Sequence, residues 1–104
     1  MERIDDMTEE TKQKIQKIAQ TYGYDAQSRQ CIEEMAELTQ AINKYWRKRG
    51  NGQPTDKKDC FDNLVEEMAD VQIMLWQLEY LLNADTSIII QQKLDRQMER
   101  IERE

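Results

Sequence analysis

GNGQPTD, at residues 50–56, gathers two of the chain's three glycines and its only proline. Elsewhere little in the 104 residues would end a helix, so this segment divides the chain into two stretches free to be helical. Ile15, Ile18, Ala19 and Tyr22 mark one face of a first helix that ends near Gly23. A second helix is expected over about 26–49, with Ile32, Met35, Leu38, Ala41, Ile42, Tyr45 and Trp46 in helical period. A third, over about 58–82, carries most of the remaining large apolar residues. NADTS at 83–87 reads as a turn with Asp85 or Thr86 as cap, and a last helix over about 87–102 shows Ile88, Ile89, Leu94, Met98 and Ile101. Near the start, Asp6 and Glu9 have capping-box spacing, with Asp in place of the usual Ser or Thr. The expected fold is all-α: a single domain, 1–104, of four helices.

Hydrophobic residues make up 38% of the chain, lean for a self-sufficient monomer of this size, so oligomerisation is expected. A net charge of −6 argues against general nucleic-acid binding, which needs a basic footprint. The basic run KYWRKRG, 44–50, falls at a helix C-terminus, where positive charge suits the helix dipole without any nucleic acid. The absence of histidine excludes imidazole-based zinc and iron sites. Cys31 and Cys60 lack a CxxC partner and read as reduced, buried small hydrophobes. The charged opening MERIDDMTEE has no leader-like apolar core, and VQIMLWQLEYLL, 71–82, is too short and too broken by polar residues to span a membrane. A cytoplasmic protein without membrane partners is expected.

A crowded acidic word then demands an explanation. IEEMAEL at 32–38 returns as VEEMADV at 65–71, displaced by 33 residues. Like charges at i,i+4, as in Glu33 and Glu37, cost a few tenths of a kcal/mol on an isolated helix. On a wheel of about 100° per residue, Glu34 sits at the margin of the second helix's apolar arc, centred near Leu38, Ile42 and Cys31. Glu37 lies slightly further out, and Glu33 points away. On the third helix Glu67 falls inside the apolar arc, with Asp70 on its flank and Glu66 turned outward. A carboxylate within an apolar arc is expensive unless paired or bound to metal. Glu34/Glu37 and Glu67/Asp70 are i,i+3 pairs, and antiparallel packing of their helices would let the pairs converge. Four carboxylates without imidazole or thiolate form an all-oxygen set suited to Mg²⁺ or Mn²⁺, ions that commonly work on phosphates. The competing explanation is a solvated acidic helix face.

The two words, on two helices joined by a short loop, resemble the signature of the MazG-like all-α nucleoside triphosphate pyrophosphohydrolases, EExxE followed some tens of residues later by ExxD. Here the signature reads Glu33, Glu34 and Glu37, then Glu67 and Asp70. EEMAELTQAINK looks like the family's first metal helix, VEEMADVQIMLWQL like its second, and KLDR, 93–96, matches a Lys-x-x-Arg found in its last helix. The likeness spans roughly residues 25–100. It implies a helical bundle completed by oligomerisation, as a homodimer or homotetramer. It also implies Mg²⁺-dependent (or Mn²⁺-dependent) cleavage between the α- and β-phosphates of an NTP or dNTP, giving a monophosphate and pyrophosphate. On that resemblance Glu34, Glu37, Glu67 and Asp70 would hold metal, and Glu34 or Glu37 would orient or deprotonate the attacking water. Glu33, the signature's leading glutamate, would support them from outside. Lys44, Lys93 and Arg96 would hold phosphate oxygens. Tyr22, Tyr24 and Trp46 could stack on a base but read more simply as packing residues. Two other readings stay open: a phosphoribosyl-ATP pyrophosphohydrolase, which shares the fold and the bond cleaved, and a non-catalytic helical interaction module.

Overall fold

A computed structural model describes residues 7–49 and 58–104, so the 50–56 break and the Asp6 cap lie outside the described residues. Three helices and no strand are found there: α1 Glu9–Arg49, α2 Lys58–Leu82 and α3 Ser87–Arg103. The fold is all-α. Thr8 opens α1, its hydroxyl oxygen accepting the Thr11 N–H at 3.2 Å. The two helices expected on either side of Gly23 form one helical run in which Gly23 alone leaves helical geometry, at φ 82° and ψ 171°. That region belongs to glycine, so the break needs a single residue and no loop. It also bends the helix sharply: 41 straight helical residues would span about 61 Å, whereas the longest dimension is 45 Å.

α2 stops at a Schellman turn. Asn83 takes positive φ, 51°, while Ala84 N–H reaches the Glu79 carbonyl at 2.9 Å and Asn83 N–H the Tyr80 carbonyl at 3.2 Å. Thr86 is the N-cap of α3 but makes no side-chain cap bond. Its hydroxyl donates back to Glu79 at 2.5 Å, and the Asp85 carboxylate accepts the Ser87 N–H at 2.9 Å.

α1 and α2 form the substantial helix–helix contact among the described residues. Cross-helix partners run in opposite order: Gln20 with Tyr80, Gln27 with Gln77, then Tyr45 with Phe61. The pair is therefore antiparallel. Its apolar interior is small: Cys31, Ala41, Cys60, Val71 and Met74 are buried along it, with Ile15 and Ala19 on the limb before Gly23. Two amides complete it. Gln27 and Gln77 are both buried, and Gln27 Nε2 donates to Gln77 Oε1 at 2.7 Å, while Gln77 Nε2 donates to Met74 Sδ at 3.8 Å. Ile42, expected near the centre of the apolar arc, is half exposed; the inward line of α1 instead runs through Gln27, Cys31, Glu34, Leu38, Ala41 and Tyr45. α3 buries no residue.

A Cβ on Gly23 would meet no atom within 4 Å, so only its backbone conformation resists substitution. Gly23→Ala is expected to lower the unfolding free energy by about 1–3 kcal/mol, measured by denaturant titration. A glycine in regular helix would give the opposite sign, since alanine there gains up to about 1 kcal/mol.

Candidate metal centre

Glu34 stands in the inward line of α1 and Glu67 in that of α2, both half-buried, with Asp70 exposed at the rim one turn from Glu67. One carboxylate oxygen from each lies within 4.8 Å of the others. Glu34 is held from its own helix, where Gln30 Nε2 donates to Oε1 at 2.8 Å. Its other oxygen, and Oε2 of Glu67, are buried without a hydrogen-bond partner. Such orphaned oxygens are rare in folded proteins and costly.

Carboxyl–carboxyl contacts tie the cluster together crosswise. Asp70 shares a hydrogen bond with Glu34, and Glu67 shares one with Glu37. The 33-residue repeat relates the two contacts, since it carries Glu34 onto Glu67 and Glu37 onto Asp70. An antiparallel pair with that repeat has a local two-fold axis through the cluster. Burial pushes the Glu67 carboxyl above the ordinary range, and the charges of Glu37, Asp70 and Glu34 push it further. Burial, then Glu34, raises Asp70. Burial, then Glu34, also raises the Cys31 thiol, which favours its neutral form.

These residues suit a divalent cation. The donors are all oxygen, and two of them are buried acceptors lacking any donor. Oxygens on opposite sides of one Mg²⁺ are about 4.2 Å apart, so a span of up to 4.8 Å needs only small side-chain rotations. Glu37 is outside the three-residue group but contacts it through Glu67. Glu33 is exposed, as its outward phase requires. Lys44 is exposed on α1, about 15 Å along the axis from Glu34. Lys93 and Arg96 are exposed on α3, the helix with no buried residue. Sequence reasoning missed Gln30, although its i−4 placement from Glu34 was a usable signal, and it missed the Gln27–Gln77 pair, which has no local signature.

No family model matches this chain, and no curated protein or solved structure matches it. Among the described residues, no helix is long and apolar enough to cross a membrane.

A carboxyl whose pKa is raised in the folded state binds protons more tightly there than in the unfolded chain. Stability tied to Glu67 and Asp70 is therefore present at acid pH and lost as pH rises from about 4 through their elevated values. In chelator, the melting temperature of wild type relative to Glu67→Gln is expected to fall over that range. Mg²⁺ or Mn²⁺ at neutral pH is expected to raise it again if these carboxylates hold an ion, because that arrangement exists only in the folded chain. Thermal melts at several pH values, with and without metal, read both effects.

Proposed function

We propose that this chain is a Mg²⁺-dependent (or Mn²⁺-dependent) nucleoside triphosphate pyrophosphohydrolase. It would take an NTP or dNTP and water to a nucleoside monophosphate and pyrophosphate, clearing or trimming the nucleotide pool of the cytoplasm. The observation that carries the reading is the meeting of Glu34 from α1 with Glu67 and Asp70 from α2, two of them with orphaned buried oxygens. A solvated acidic face would leave those oxygens in water. The sequence resemblance supplies the reaction class, and four helical segments with a small interior suit a four-helix bundle completed by a homodimer or homotetramer.

Glu34, Glu67 and Asp70, with Glu37 beside them, would hold the metal. The bound ion would supply neutralisation of triphosphate charge, polarisation of the attacked phosphorus and a lowered pKa for water. Glu37 is exposed beside Glu67 and lies outside the compact trio, which would leave it free to orient the attacking water and take its proton. Glu34 is the second candidate for that role. Lys44 shares the rotational side of Glu37 on α1 and would meet phosphate oxygens. Lys93 and Arg96 would do so from α3, the arginine by a bidentate fork.

Pyrophosphate release across a panel of NTPs, dNTPs and phosphoribosyl-ATP, with Mg²⁺ or Mn²⁺, tests the reaction and separates the pool enzyme from its phosphoribosyl relative. Glu67→Gln and Asp70→Asn are each expected to cut turnover by more than about 100-fold, beyond the 10–100-fold typical of residues that only support metal ligands, while circular dichroism stays helical. Full turnover in either variant would remove the site assignment. Neither turnover nor a metal-dependent shift in melting would leave an interaction module.

A further inference from the structure

The two carboxylate oxygens of Glu34 have different surroundings. Oε1 accepts from Gln30 Nε2 at 2.8 Å, while Oε2 is buried without a donor. Gln30 itself is exposed, one turn earlier on α1. Glutamine and glutamate four residues apart often meet on helix surfaces, and α1 has another such pair, Gln13 with Glu9. That bond is long, 3.4 Å, and joins two exposed side chains. The Gln30 bond is shorter and ends on a half-buried carboxylate whose other oxygen is closed off from water.

The repeat sharpens the contrast. A shift of 33 carries Glu34 onto Glu67 and Gln30 onto Asn63, whose side chain is one methylene shorter. Glu67 keeps its orphaned Oε2, and no bond from Asn63 steadies it among the described residues. The two halves of the cluster are thus alike in their acids and unlike in what holds them.

We propose that Gln30 is a positioning residue that fixes Glu34 as a one-oxygen ligand, and so biases the centre toward Mg²⁺ or Mn²⁺ and against Ca²⁺. The inference rests on the metal-centre part of the proposed function and not on its hydrolysis. The amide on Oε1 must be given up before both oxygens of Glu34 can turn to one ion. Ca²⁺ loses by that restraint, because it takes about 6–8 oxygens in flexible geometry and often grips a carboxylate by both. Mg²⁺ does not, since it demands near-ideal octahedral geometry, which the narrow bite of a carboxylate distorts. A ligand held in one rotamer suits the ion with the stricter geometry. A bond that served the helix alone would predict something else: lower stability when it is removed, and no change in ion preference.

Gln30→Met keeps the length and helix preference of the side chain and removes its donor. Titration of the full chain with Mg²⁺, Mn²⁺ and Ca²⁺, followed by the rise in melting temperature, reads the affinity for each. Relative to wild type, the variant is expected to lose about 10–100-fold in affinity for Mg²⁺ and Mn²⁺, while Ca²⁺ affinity holds or rises and melting in chelator is unchanged. Asn63→Ala is expected to leave all three affinities alone. Should Gln30→Met melt lower in chelator, Gln30→Asn reports instead, since it keeps the amide but shortens its reach, and the same shift in preference is expected. Equal loss for all three ions, loss for none, or an equal shift in Asn63→Ala overturns the inference. A wild type that binds no ion removes the metal centre and this role together. Ion binding in the expected pattern without nucleotide turnover leaves the role of Gln30 standing and removes the hydrolase.

Discussion

The α1–α2 interface closes over carboxyl groups, and that constraint shapes everything built on it. Glu34 and Glu67 stand in the lines that also bury Cys31, Ala41, Val71 and Met74. Removing a carboxylate from water is expensive without a partner, and partners of the same sign make it worse. Burial and the neighbouring acids together raise the Glu67 and Asp70 carboxyls above their ordinary range. A divalent ion would offset that repulsion and would satisfy the oxygens that nothing donates to. Burial of these acids thus costs the fold stability that a bound cation would restore.

The same interface relies on polar groups for its register. Its apolar residues are few and several are small, so many sliding arrangements would bury similar area. The Gln27–Gln77 bond would be broken by a slip of one residue, leaving two buried amides unpaired. Met74 and Cys31 adapt to neighbours, whereas an amide pair does not. Register matters to the site because Glu34 and Asp70 meet only in this one alignment of α1 against α2.

A local two-fold axis organises the hairpin. The repeated acidic word places equivalent carboxylates on one face and equivalent apolar side chains on the other, so a single duplication of sequence pattern builds both surfaces. The division has a chemical logic. Carboxylates left on an open face keep their hydration, while the apolar side chains that so small an interior cannot take up stay on the other face. α3 buries no residue, and the bend at Gly23 redirects the first limb of α1.

The helical class, the position of the break at Gly23 and the inward phase of Glu67 were legible in the sequence, because residue type and period act within a few turns of one helix. So was the division of each acidic word into an inward and an outward glutamate. Other features depend on which side of a helix its neighbour approaches, and a wheel is silent on that. Ile42 lies close to the apolar centre of its helix yet stays half exposed, because α2 packs on the line through Ala41 and Tyr45. Gln27 looks like a surface residue until Gln77, fifty positions on, supplies its acceptor. Glu37 and Asp70 have matching places in the two words, but only Asp70 joins the compact trio. The sequence by itself determined helices, phases and a surplus of acids on two of them. The tertiary structure alone decided which acids share a space and which oxygens lose their water, since both follow from distances between chain-distant atoms that no local pattern encodes.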